Sequence, residues 1–229
     1  MLGVIDGPPT ASGPRSQTTL AYEAIRNDII NGLHAPDKKL KIQELAEELK
    51  VAPGAVREAL SRLVPEQFVI SRDQRGFVVA PLSMDDLIDL TDLRCEIEAI
   101  ALRRSLERGD VNWEVRLISA AHRLRALPKP RPGCGESIAE WVALHSEYHA
   151  ALISACGSPR LIALHAQLYE QSERYRLMSE FKETGRDVIA EHDEFVQLAL
   201  ARDTEGLVAA MTQHIRMTTD LIIASARGA

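Results

Sequence analysis

Four histidines of this 229-residue chain, His145, His149, His192 and His214, each fall within the apolar stripe of a segment with helical period. Over residues 136–156 the stripe runs Ile138, Trp141, Val142, His145, His149, Leu152, Ile153, Cys156, which sets two imidazoles one turn apart on the inward face. The stripes Val188, His192, Phe195, Val196, Ala199 and Leu207, Ala210, Met211, His214, Met217, Leu221 each carry one more. Buried imidazoles need partners, and imidazoles converging from three helices are what a divalent transition metal such as zinc or nickel requires. A lone histidine on an apolar face is more often a satisfied core residue. Four on the inward faces of three helices make a candidate ligand set, whereas His34, His122 and His165 lack such company and receive no role.

Arg94 is a second unusual residue. It lies within the stripe Leu87, Leu90, Arg94, Ile97, Ala101 rather than on a polar face, and a buried guanidinium demands an anion. That anion is either an internal carboxylate, Glu98 being one turn away, or a small carboxylate effector. Gln171 and Tyr175 continue the line Leu161, Leu164, Leu168 and, with Arg174 nearby, would complete a polar pocket; for Tyr175 alone, core packing is a sufficient role.

The elements that position these residues are helices. The chain is 45% hydrophobic but only 4% aromatic, its β-branched runs are short, and Ala, Leu, Glu and Arg dominate in helix-period blocks. After Pro81 the periodicity predicts helices near 84–107, 111–127, 136–156, 159–182, 187–201 and 204–225, with Ser83, Asp110 and Asp203 as N-caps and the Pro/Gly-rich segment 128–135 as the longest connection. A single α-helical bundle over residues 82–229 is the expected architecture. Cys95, Cys134 and Cys156 are odd in number with no CxxC spacing, which suggests neither a disulfide framework nor a thiolate zinc site and points to a reducing, cytoplasmic compartment. No membrane span or secretory signal is expected, because no stretch approaches eighteen apolar residues.

The first eighty residues read differently. Residues 1–17, rich in Gly, Pro, Ser and Thr, are expected to form a flexible arm. Over residues 18–81, Tyr22, Ile25 and Ile29 mark a first helix, Ile42, Leu45, Ala46 and Leu49 a second, and Val56, Ala59, Leu60 and Leu63 a third. A hairpin of Phe68-Val69-Ile70 and Phe77-Val78-Val79 follows. Together these predict a winged helix-turn-helix. With the apolar residues of the third helix inward, Arg57 and Ser61 project one turn apart with Arg62 beside them, as a face for a major groove; Gly54 would let the backbone approach a duplex, and Arg72, Arg75 and Gly76 would sit at the wing tip. The net charge of −6 does not oppose DNA binding, since residues 1–81 hold ten basic and ten acidic side chains and the excess lies after Pro81.

VREALSRL (56–63) followed by FVISRDQRGFVVAPLS (68–83) resembles the winged helix-turn-helix of the GntR family of bacterial transcription regulators. LRCEIEAIALRRSLE (93–107), HSEYHAALISACGSPRL (145–161), EHDEF (191–195) and HIRM (214–217) are similar to the all-helical domain of its FadR subfamily. The resemblance covers about residues 19–225 in the right order. It implies a metabolite-responsive regulator, more often a repressor, that is not an enzyme and acts as a homodimer on an inverted-repeat operator. It also implies a metal held by one aspartate and three histidines, with Arg57 as the main DNA-contacting arginine. The aspartate position is His145 here, so an all-imidazole set leaves the metal charge uncompensated and should draw an anion, favouring a carboxylate effector. Ala52, Pro53, Gly54 and Ala55 replace the family's Ser, polar residue, Thr and Pro, and Pro65 and Gln67 replace a small or acidic residue and a glycine, so a distorted helix end is expected.

Two other readings compete. The dipeptide His192-Asp193 occurs in an all-helical, metal-dependent phosphohydrolase class. That reading needs Asp193 as a ligand, yet adjacent helical side chains diverge by about 100 degrees. The other rival is a dimeric interaction protein in which a closed metal site merely staples the bundle.

Overall fold

The computed structural model describes residues 15–72, 76–127, 135–178 and 186–227. Arg75, residues 1–14 of the expected arm and most of the 128–135 connection lie outside them. The chain divides into two compact units, one formed by residues 1–28 and 37–80, the other by residues 29–36 and 81–229.

In the first unit α1 (Gln17–Ile30), carrying Tyr22, Ile25 and Ile29, is followed by α2 (Ile42–Leu49) and α3 (Pro53–Leu63). Ala21, Ile25, Leu45, Ala46, Val56, Ala59, Leu60 and Leu63 are buried, so the apolar stripes read from the sequence do form the core. The expected hairpin is present as β2 (Val69–Arg72) and β3 (Gly76–Val79), antiparallel with Ile70 opposite Val78. A third strand, β1 (Lys39–Leu40), pairs antiparallel with β3 on its other side, giving the order β1-β3-β2. Two residues are too short for an alternating pattern to show, so β1 left no signal in the sequence.

The end of α3 is closed by a Schellman pattern: Phe68 N–H donates to the Leu63 carbonyl and Gln67 N–H to the Val64 carbonyl. Gln67 takes the left-handed backbone position at φ 61°. The departures at Pro65 and Gln67 therefore leave an ordinary helix stop, made by a residue that is less suited to it than glycine.

The second unit holds α4 (Met84–Arg108), α5 (Val111–Arg125), α6 (Gly135–Ile153), α7 (Pro159–Met178), α8 (Val188–Leu200) and α9 (Thr204–Arg227). Ser83 accepts from Asp86 N–H, Asp110 from Trp113 N–H and Asp203 from Gly206 N–H, so all three expected caps are made. Helix α4 packs on α7 and α9, α5 on α6 and α8, and α8 on α9. Leu102, Trp113, Leu117, Tyr148, Leu152, Phe195 and Met211 fill the main core. A smaller cluster gathers Leu87, Leu90, Leu168, Tyr175 and Ile222. No helix among the described residues is long and apolar enough to cross a membrane.

Two of the expected stripes are met in part. On α7 Leu168 and Tyr175 of the expected stripe are buried together with His165, Tyr169 and Ser172, while Leu164 is exposed; on α9 Leu207, Met211 and His214 are buried as expected, but Ile215, Thr219 and Ile222 continue the buried face and Met217 and Leu221 face outward. On α7 the inward neighbour of Leu161 is His165 rather than Leu164, and Leu168 is followed inward by Ser172, steps of four residues rather than three.

Candidate metal centre and DNA-facing helix

The four histidines singled out from the sequence meet. His145 and His149 come from α6, His192 from α8 and His214 from α9; all are buried, and one nitrogen from each lies within 4.8 Å of the others. Nε2 of His145 and Nε2 of His149 are 3.2 Å apart. Ligands bound at about 2.0–2.1 Å to one ion stand roughly 3.0–3.4 Å apart, so this pair already has the spacing of a coordination edge. Nδ1 of His149 and Nε2 of His192 are buried without a hydrogen-bond partner, so the protein alone leaves part of the cluster unsatisfied. The donor set thus fits a transition-metal ion.

The outer ring nitrogens are held from behind. The Tyr169 hydroxyl lies 2.7 Å from Nδ1 of His145, and a Glu191 oxygen lies 2.7 Å from Nδ1 of His214. Trp141 stacks on His145 with centroids 4.4 Å apart and planes 16° from parallel. Tyr148 donates to the His192 carbonyl at 2.8 Å, fixing α8 against α6. Burial, reinforced by neighbouring histidines, holds His145 and His149 well below the usual imidazole range. The same causes bring His192 to about 3, and burial also lowers His214 despite Glu191. Neutral imidazoles present lone pairs, which is the ligating form.

Arg94 is buried on α4 and donates to the Ser172 hydroxyl at 2.8 Å, with its guanidinium 4.8 Å above the Tyr169 ring. Among the described residues no carboxylate pairs with it, and its Nε has no partner. Glu98, its expected internal alternative, is 2.8 Å from His165 instead, close in distance but without hydrogen-bond alignment. Tyr175 is not brought to this group: it accepts from Ser83 N–H and donates to Asp86 at the start of α4. Arg174 is buried and Gln171 half-buried on α7. Asp193 pairs with Arg125 at 3.1 Å and stands outside the histidine cluster, as the turn of the helix requires. Tyr169, Ser172, Glu191 and Arg186 escaped the sequence reading. The two on α7 sit on the face that the i, i+4 step would have exposed to view, whereas Arg186 lies in an irregular connection with no period to reveal it.

On α3, Gly54, Arg57, Ser61 and Arg62 are all exposed. Arg62 stacks on the Tyr22 ring at 4.3 Å, and the Ser61 hydroxyl donates to the Arg57 carbonyl. Arg57 has no side-chain partner among the described residues, which leaves its five donors available. A Cβ on Gly54 would meet nothing within 4 Å, so the start of α3 is open. Arg72 stands 3.8 Å from Asp37, and Gly76 takes φ 81° where the hairpin turns.

Residues 17–79 match the family described as bacterial regulatory proteins, gntR family, and residues 89–217 match the FCD domain. The chain is 36% identical over 217 residues to BphR of Paraburkholderia xenovorans (strain LB400), an HTH-type transcriptional regulator, covering 94% of this chain and 89% of that one. It is 33% identical over 205 residues to the HTH-type transcriptional repressor GlaR of Escherichia coli (strain K12), covering 85% and 90%. Among solved structures, E. coli McbR/YncC superposes with a TM-score of 0.77 at 20% identity, over 93% of this chain and 100% of that one. A transcriptional regulator from Rhodococcus sp. RHA1 gives 0.73 at 19%, over 92% and 99%. These two likenesses concern the fold.

Proposed function

Since the chain belongs to the gntR family of bacterial regulatory proteins and joins that helix-turn-helix domain to an FCD domain, it is a DNA-binding transcriptional regulator, and we propose that it is a metal-containing repressor released by a small carboxylate. His145, His149, His192 and His214 would hold zinc or nickel. The metal would supply a Lewis-acidic centre for the effector's carboxylate, and Arg94 the counter-charge beside it. The observation that carries this reading is the convergence of four neutral imidazoles within 4.8 Å, two of them with an unsatisfied nitrogen, next to a buried guanidinium that no carboxylate of the described residues pairs with. Gln171 and Arg174 belong to the proposed effector pocket on the sequence reading alone; Tyr175 serves the packing of α7 on α4. The repressing sense follows the name of GlaR.

On the DNA side Arg57 would read a base edge or grip a phosphate, and the open backbone at Gly54 would take up phosphate contacts in place of the missing hydroxyls. Ser61, Arg62, Arg72, Arg75 and Gly76 would line the rest of the interface. A homodimer on an inverted repeat doubles the few base pairs that one short helix reads.

Protein purified without a histidine tag and incubated with zinc or nickel should carry close to one ion per chain by elemental analysis; less than about 0.2 ends the metal reading. Selection from a random DNA library should enrich an inverted repeat. Arg57→Ala should then cost about 1–3 kcal/mol at one position if it reads a base, or weaken all sequences with a shallower salt dependence if it grips phosphate.

A further inference from the structure

Behind His214 sits a group that the metal reading does not use. Arg186, in the connection before α8 and almost fully buried, donates from Nε to one Glu191 oxygen and from Nη2 to the other, both at 2.6 Å. The same guanidinium donates to the His214 carbonyl at 3.0 Å and to the Thr218 hydroxyl at 2.8 Å. Glu191 Oε2 then meets Nδ1 of His214 at 2.7 Å. Nη2 of Arg186 also lies 3.0 Å from Nδ1, but its two hydrogens go to Glu191 and to the His214 carbonyl; a carboxylate only accepts, so Nδ1 carries the hydrogen. The lone pair of His214 is therefore on Nε2, the atom left for the centre.

We propose that Glu191 is the charge partner of the metal centre: fixed by Arg186, it orients His214 through Nδ1 and supplies, one bond further out, the negative charge that four imidazoles cannot. The proposal rests on the metal reading above. It follows from the composition of the site. A donor set with one carboxylate removes a unit of the ion's charge directly, and His145 stands where that carboxylate is expected. Among the carboxylates of the described residues, Glu191 is the one in hydrogen-bond contact with a histidine of the cluster. A carboxylate behind a ligating histidine fixes its tautomer and makes it a stronger base. Arg186 has a matching part, since it balances Glu191 while the centre holds no ion.

The test compares zinc and nickel affinities of wild type, Glu191→Gln and Glu191→Asp by competition with a chromophoric chelator, with the melting temperature of each metal-free protein as the control for folding. Glu191→Gln keeps the size and loses the charge; a 10- to 100-fold loss of affinity is expected. Glu191→Asp keeps the charge and shortens the side chain, and it should retain more affinity than Glu191→Gln. Wild-type affinity in Glu191→Gln, or the reverse order of the two variants, overturns the proposal while leaving the histidine site standing. Should Glu191→Gln fail to fold, Glu191→Asp decides alone: binding within about tenfold of wild type is expected, and a greater loss overturns the assignment. A wild type that binds neither ion overturns both this assignment and the reading beneath it.

Discussion

The hydroxyl of Tyr169 on α7 lies 2.7 Å from Nδ1 of His145 on α6, and the guanidinium of Arg94 on α4 lies 4.8 Å over the same tyrosine ring. One aromatic side chain thereby touches both the proposed metal site and the proposed effector site. Burial raises the Tyr169 phenol well above its usual range, so it stays protonated.

Tyr169→Phe keeps the ring and removes the oxygen. It should lower metal affinity by about tenfold, the low end for an outer-shell partner, while far-UV circular dichroism stays unchanged. Equal affinity in the two proteins, measured by chelator competition, would show that His145 needs no such support.

Arg94→Met should weaken binding of short dicarboxylates while leaving the metal content intact. Loss of a charge-assisted hydrogen bond costs about 1.5–3 kcal/mol, a 10- to 150-fold weakening by calorimetry. Unchanged binding would move the effector away from Arg94.

Gln67→Gly should stabilise the first unit by about 0.5–1 kcal/mol, because glycine takes the left-handed position at the end of α3 without the Cβ penalty. Chemical denaturation checks the sign. A destabilised variant would mean that the glutamine side chain contributes more than its backbone costs.

Glu98 gives a pH prediction. Burial alone would raise its carboxyl, but His165 beside it and Arg94 outweigh burial and leave it below its usual value. A depressed folded-state value means stability that is present above the unfolded-state value of about 4.3 and lost as pH falls through the folded one. Glu98→Gln should therefore be less stable than wild type at pH 7, with the gap closing below about pH 4. A gap that stays constant across denaturation curves from pH 7 to pH 3 would sink the assignment of charge to Glu98.

The histidine cluster was legible because each member sits in a strong helical stripe and two repeat at i, i+4, so periodicity alone turned them inward. The three helix caps were legible for a similar local reason. What stayed hidden depended on choices that the sequence leaves open. At Leu161 on α7 the next inward residue is either Leu164 or His165; hydrophobicity favours the leucine, and the structure takes the histidine. That single step decided whether Tyr169 and Ser172 or Gln171 and Tyr175 would face Arg94. Glu191 was invisible because its partner is on α9, and β1 because two residues carry no period.

The stacking of Trp141 on His145 has a spectroscopic consequence. The chain has two tryptophans, and the other, Trp113, is fully buried with its indole N–H committed to the Ala151 carbonyl. Of the two tryptophans only Trp141 therefore rests against a ring that would ligate the ion. An open-shell ion such as nickel at His145 should drain the emission of Trp141, whereas zinc, with its filled d shell, should shift it with little loss. Intrinsic fluorescence would then report which ion enters, and when, without a label.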